Sequence, residues 1–453
     1  MHQILKQTTS LCPVCLDSVR AEVRQVGDEI QLHRQCPAHG TFAAVINSHS
    51  RHYHLSAGAD SSCASGSSLP LVDTATTCCS GGQCGTSMDN LSTCIGLIEI
   101  VNSCNMACPV CFADSPQERH VDAISFEEFC DRINAVTERK GMIDILQLSG
   151  GEPTIHPEFF RVLEWALANP QIGHVLLNTN GIKLTSESFF EQLTTLRQRF
   201  QKLEIYLQFD GLQAAGQVEL RGADMRKTRE TVIANCQKAG IPVNLAMTVD
   251  EHNREHIGDV LRLAMASPGV SGITWQPMFG SGRAYAGFNA AANDLVPLTS
   301  ATTSIEWPPI RRLNVSDIIV AAVEQSDGVL CEADFTPLPC GDPNCHTVAY
   351  LLRRGDELVG LSKLIDLTAV QGFLKDRLNY NTEDLIRCGC ESEPLGSILK
   401  QLEIGPESVL RLVIKPFMDA WTFDQHRTDR CCVHVIGVGG KLESFCRYYA
   451  LSK

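Results

Sequence analysis

The feature that most constrains this chain is a set of three cysteines, Cys104, Cys108 and Cys111, inside the stretch VNSCNMACPVCFADS (101–115). Their C-x3-C-x2-C spacing follows an apolar run, Ile95 to Val101, that reads as a strand. Three thiolates on one short loop can hold three corners of a [4Fe–4S] cube. The fourth iron is then left without a nearby protein ligand, and a small molecule can chelate it. The competing reading is a zinc knuckle, which usually pairs two CxxC elements; this loop has no fourth cysteine.

About forty residues on, a second apolar run, Ile143 to Ser149, ends in Gly150-Gly151-Glu152-Pro153. Paired glycines at a strand end permit close backbone approach to a ligand, and the proline fixes the exit. Strand and helix patterns then alternate. Helix 125–140 opens on a capping pair, Ser125 and Glu128, and stops at Gly141. Strands follow at 143–149, 173–178, 203–209, 242–249 and 271–276, with helices at 157–168, 185–200, 227–239 and 253–266. Six βα steps with short links predict an α/β fold whose parallel sheet curls into a partial (β/α)6 barrel of the TIM type, with ligands at the strand C-termini. Polar groups stand at those ends: Asn178 to Gly181, Gln208-Phe209-Asp210-Gly211 with Arg221-Gly222 after it, and Gln276 with the turn Gly280 to Arg283.

Cysteine usage sets the rest of the organisation. The chain has 21 cysteines in 453 residues, and apart from Cys63, Cys130, Cys236 and Cys331 they fall in groups, which points to metal in a chain with no export signal expected at its start. Cys12 and Cys15, then Cys36 and His39, form CxxC and CxxH knuckles around a hairpin pattern, a four-ligand site for zinc or a single iron. A connector rich in Ser, Gly, Ala and Thr leads to Cys78 or Cys79, Cys84 and Cys94, which could hold part of a second cluster. Cys340 and Cys345 sit on a proline-braced loop, and Cys431 or Cys432 and Cys446 lie near the end, enough thiols for a third cluster. The expected domains are a metal ribbon at 1–54, a linker with cysteines at 55–94, the barrel at 95–290 and a cysteine-rich extension at 291–453.

A net charge of −14 argues against nucleic acid, whose phosphates need clustered Lys and Arg. The sequence has no run of 18 apolar residues, so a spanning helix is not expected and a cytoplasmic location is; peripheral contact with a membrane stays open.

With these pieces assembled, the chain resembles the radical SAM superfamily, through the triad, the GGEP turn and the polar strand ends. Within it the chain is similar to the branch of tetraether lipid synthase and the class D radical SAM methylases, through its CPxC and CPxHG ribbon, QFDG strand, DFxPLPC loop and terminal cysteines. The resemblance implies that Cys104, Cys108 and Cys111 bind a cluster that holds S-adenosylmethionine. It also implies that Gly150, Gly151, Glu152 and Pro153 grip the methionyl group, while Gln208, Asn180, Asp210 and Arg221 contact the ribose or methionine. It further implies one or two auxiliary clusters and a reductase, ferredoxin or flavodoxin as electron donor. The activity implied is radical attack on an unactivated carbon of a small-molecule, lipid or pterin-type substrate, either to join carbons or to add a methyl group. A radical SAM peptide maturase is the alternative, although that class ends in a seven-cysteine block that the spacing from Gly440 to Cys446 does not match. An electron-transfer protein would have no use for GGEP, NTNG and QFDG at successive strand ends.

Overall fold

The computed structural model describes residues 2–55, 93–117, 121–284, 309–338, 341–354, 357–363 and 409–451. Cys78, Cys79, Cys84 and Cys340 lie outside them, as does most of the expected 55–94 linker. The chain begins as a four-stranded antiparallel sheet, β1 (His2–Leu11), β2 (Ser18–Val26), β3 (Glu29–Cys36) and β4 (Gly40–Asn47), in that order. The hairpin anticipated from 21–33 is β2–β3, turned at Gly27, whose φ of +64° suits glycine. Strand β1 was not anticipated, because its polar HQILKQTTS stretch alternates weakly.

A second sheet of twelve strands forms the body. Its middle is parallel: β5 (Ile95–Val101), β6 (Ile143–Gly150), β7 (Ile172–Thr179), β8 (Leu203–Gln208), β9 (Val243–Val249) and β10 (Val270–Pro277). Crossovers are made by α1 (Phe126–Lys140), α2 (Phe159–Ala168), α3 (Glu187–Arg199), α4 (Ala214–Arg221) with α5 (Arg226–Ala239), and α6 (Ile257–Ala266). Helix α1 is capped as read, the Ser125 hydroxyl accepting from Glu128 N at 3.1 Å, and Gly141 closes it at φ +82°. Helix α4 was missed, since Gly216 interrupts its apolar face. The packed layer between helices and sheet is wholly buried at Ile98, Phe129, Ile133, Leu146, Leu177 and Leu245. Each such side chain contributes about 1.5–3 kcal/mol.

The tail extends both edges of the sheet. Helix α7 (Val315–Glu324) leads to β11 (Thr336–Pro337), β12 (Thr347–Arg354) and β13 (Glu357–Gly360), and then to β14 (Val409–Ile414), which runs parallel to β10 with Trp275 opposite Ile414. Helix α8 (Gln425–Asp429) precedes β15 (Val433–Ile436), which runs parallel to β5 with Val433 opposite Ile95. The chain then turns back through β16 (Leu442–Ser444) into α9 (Phe445–Leu451). Eight parallel strands therefore surround the interior, from β15 through β5–β10 to β14. No helix among the described residues is long and apolar enough to cross a membrane.

Candidate active site

The triad loop leaves β5 and is held from both sides by backbone. Asn102 N donates to Asp122 O and Cys104 N to Pro116 O, each within 2.9 Å. The end of β6 fastens against it: Gly151 N donates to Val101 O at 2.7 Å and Glu152 N to Ser103 O at 3.1 Å. The glycine pair is required by this contact. A Cβ on Gly150 would lie 2.0 Å from Val101 O, and one on Gly151 would lie 2.1 Å from Ser103 O. A third glycine, Gly282 in the turn after β10, is in the same position against the carbonyls of Cys111 and Phe112, at 2.5 Å.

The three thiols sit with Met106, Met225 and Ile182 in a small, partly buried apolar cup. Burial pushes the Cys104 thiol up to about 12 and raises Cys108 as well; a bound metal cation would reverse both. Among the described residues only the ribbon ligands draw their metal-binding atoms within 4.8 Å of one another. The triad sulfurs are wider apart, as thiols must be to reach separate corners of a cube. The donor set and its cup fit the cluster.

Residues at the neighbouring strand ends converge on the loop but are tied into the protein. Glu152, 1% exposed, accepts from Thr154 N and Oγ1 and from Thr179 Oγ1 on one oxygen, and from Asn180 N at 2.8 Å on the other. Burial raises its pKa against those four hydrogen bonds. Pro153 is buried and opens the turn that follows. Asn180 Nδ2 donates to Asn105 Oδ1 at 2.7 Å, which joins the third strand end to the triad loop. Asp210 is fully buried at φ +61°, a conformation Asp tolerates. Its carboxylate takes a bidentate pair from Arg221 at 2.7 Å and a bond from Thr248 N at 3.0 Å, with Arg229 Nη2 3.7 Å away. Burial opposes the charge, but Arg221 and Arg229 outweigh it and hold Asp210 below the usual carboxylate range. Arg221 in turn reaches the sulfur of Cys108. Gln208 Oε1 accepts from Arg229 at 3.0 Å. Asn105, Thr248 and Arg229 were not singled out in the sequence, whereas Thr179 stood in the Asn178 to Gly181 motif.

The ribbon is a second centre. Cys12, Cys15, Cys36 and His39 bring all four ligand atoms within 4.8 Å, with Cys36 Sγ 3.4 Å from His39 Nδ1. Burial works against the Cys36 thiolate, yet hydrogen bonds from His39 and its loop bring its pKa to about 7. Three thiols and one imidazole are a structural zinc set. Trp421 packs edge-on against Phe42 beside these ligands at 5.7 Å, and Arg34 donates to Trp421 O at 2.7 Å, so the segment after β14 fastens the ribbon to the body.

In the tail, Cys345, Cys431, Cys432 and Cys446 are all buried. Cys94 joins Cys431, Cys432 and Cys446 in one cluster, although sequence order grouped it with the cysteines at 78–84. Inside the barrel lies a cavity with about 830 Å³ of empty space, part of it open to solvent. Gln147, Tyr206, Asn244, Thr274, Lys415 and Cys432 are among its lining residues.

Residues 98–264 match the Radical SAM superfamily, and residues 4–48 match the HMPTM N-terminal zinc ribbon domain. The chain carries a radical SAM domain. This radical SAM chain is 25% identical to the 7,8-dihydro-6-hydroxymethylpterin dimethyltransferase of Methanocaldococcus jannaschii, over 99% of its own length and 94% of that protein. It is also 25% identical to a mycofactocin maturase of Mycobacterium ulcerans, over 37% of its own length and 42% of that protein. Among solved structures, Streptococcus suis SuiB bound to S-adenosylmethionine aligns over 70% of this chain and 76% of that one, at 14% identity and a TM-score of 0.36.

Proposed function

We propose that this radical SAM enzyme forms a carbon–carbon bond, by methyl transfer, on a pterin-type substrate held in the barrel cavity. The observation that carries the reading is the extent of the likeness to the pterin dimethyltransferase. It runs through the ribbon and the tail, whereas the likeness to maturation proteins covers between about a third and a half of the chain. The cavity wall is mostly apolar with a few polar groups that could orient a heterocycle. Asn244 pairs with Thr274 at 2.9 Å, Gln147 with Asn178 at 2.7 Å and Tyr206 with Gln276 at 2.6 Å, so amide and hydroxyl groups line the wall. Amide and hydroxyl groups of this kind keep donors and acceptors beyond these pairs for the ring nitrogens and carbonyl of a pterin.

Cys104, Cys108 and Cys111 would hold the cluster, and Cys12, Cys15, Cys36 and His39 a mononuclear zinc or iron. The tail thiols and Cys94 are proposed to hold an auxiliary cluster, with Cys345, Cys446 and one of Cys431 and Cys432 as ligands. A cluster held by Cys104, Cys108 and Cys111 would supply one electron for cleavage of S-adenosylmethionine to methionine and a 5′-deoxyadenosyl radical. The protein's part is to fix that geometry. The GGEP turn locks the triad loop to β6, and Asn180 locks it to β7. Asp210 holds Arg221, which faces Cys108 of the triad.

The test is anaerobic turnover with dithionite, S-adenosylmethionine and a dihydro-6-hydroxymethylpterin. The reading expects substrate-stimulated 5′-deoxyadenosine, a methylated pterin in the mass spectrum, and neither product from Cys108→Ala. Loaded protein should hold about 9 irons for two cubes and a mononuclear iron, or about 8 with one zinc. No stimulation by pterins, with stimulation by a peptide instead, would overturn the reading in favour of a maturase.

A further inference from the structure

The tail thiols are accompanied by two cations that have no carboxylate of their own. Lys415 follows β14 and is 8% exposed, and it lines the barrel cavity, as does Cys432. Its ammonium has the ring of Phe417 at 5.4 Å. Arg427, in α8, donates to Pro416 O at 3.1 Å and reaches the Cys345 sulfur, while its Nε is buried without a partner. Neither forms an ion pair with a carboxylate among the described residues. The acids nearby are engaged elsewhere: Asp342 lies 3.7 Å from Arg430, and Asp424 lies 2.6 Å from Lys6. His346, also in this wall, is kept neutral by burial.

The thiols are close enough to act on both cations. Burial disfavours the charge on both: on Lys415 it prevails and lowers the pKa against the pull of Cys345, Cys432, Cys431 and Cys446, whereas on Arg427 Cys345 and Cys446, with Asp342 and Asp424, outweigh it. Met418 N, three residues past Lys415, lies 3.4 Å from the Cys446 sulfur, and a Cβ on Gly341 would sit 3.5 Å from that of Cys432. A buried cation without a counter-ion is costly, so an arrangement with two needs negative charge between them. Four thiolates on an oxidised cubane leave about two negative charges net, which two cations balance.

We propose that Lys415 and Arg427 are the counter-charges of an iron–sulfur cluster on the tail thiols, positioned to make that cluster easier to reduce. The proposal rests on the tail-cluster reading above. Reduction adds one electron and one negative charge, so each cation favours the reduced form, and net charge is one of the levers that set such potentials. Lys415 also faces the cavity, which puts this control beside the substrate.

The experiment is an EPR-monitored redox titration of reconstituted full-length chain in a background with Cys104, Cys108 and Cys111 all changed to Ala. The signal titrated is the one that Cys345→Ala removes. Lys415→Met and Arg427→Gln should each shift the reduction equilibrium at least tenfold toward the oxidised form, and a one-electron decade is 59 mV. Lys415→Arg, which keeps the charge, should stay within threefold of the parent. A purely structural lysine predicts no shift in Lys415→Met at unchanged iron content, and that result overturns the inference while leaving the cluster in place. If Lys415→Met does not fold, Arg427→Gln carries the same test. If Cys345→Ala removes neither iron nor signal, the tail-cluster reading itself falls, and the counter-charge inference with it.

Discussion

Replacing Asp210 by Asn tests whether the buried charge group beside the triad holds this end of the barrel together. Asn tolerates the φ of +61° and can still accept from Thr248 N, so the change is confined to the charge. It leaves Arg221, at 8% exposure, and fully buried Arg229 facing a neutral amide. Removing one partner of a buried pair costs about 3–5 kcal/mol, because the remaining charge is left uncompensated. At about 1.4 kcal/mol per decade, the folded-to-unfolded ratio should fall between a hundred- and a few-thousand-fold. Pulse proteolysis in urea on the reconstituted protein reads that ratio. The double variant Asp210→Asn/Arg221→Met should be less destabilised than the sum of its singles, by about 2 kcal/mol, since it removes the stranded guanidinium. The reasoning is refuted if Asp210→Asn lies within about 0.5 kcal/mol of the parent, or if the singles simply add.

Two further outcomes follow from the geometry. Gly150→Ala should abolish stable folding or cost more than about 3 kcal/mol, because its Cβ would strike Val101 O at 2.0 Å, whereas Gly27→Ala, with open space and φ +64°, should cost only about 1–2 kcal/mol. Thermal melts of the two variants side by side check this, and equal losses would count against the packing argument. Glu204, on β8, accepts from Arg411 and His174 within 3.1 Å. Burial opposes its charge, but those two partners outweigh it and hold its pKa well below the usual carboxylate range. A depressed carboxylate stabilises the fold above its unfolded pKa, and that stability is lost as pH falls through the folded value. Glu204→Gln should therefore be destabilised at pH 7, with the gap narrowing progressively below about pH 4; urea midpoints across that range check it, and a pH-independent gap would refute it.

Local signals carried most of what the sequence alone determined. The cysteine triad, the GGEP turn and the 2- and 3.6-residue periodicities each depend on neighbours within a few positions, so the six central strands and the ribbon ligands could be read in order. The glycines of GGEP were legible as close approach, but what approaches them, the carbonyls of Val101 and Ser103, is about fifty residues away in sequence. Only the tertiary structure decided where the tail goes. Four-residue β15 and six-residue β14 look like generic apolar runs, and their parallel pairing to β5 and β10 is fixed by hydrogen-bond register across more than a hundred residues. That closure also placed Cys432 and Lys415 in the wall of the cavity and brought Cys94 to Cys431 and Cys446. Pairings such as Asp210 with Arg221 and Arg229, or Glu204 with Arg411, stayed hidden for a related reason. A lone charge in a sequence looks the same whether it faces water or a buried partner, and the choice is made by which strand ends the fold brings together.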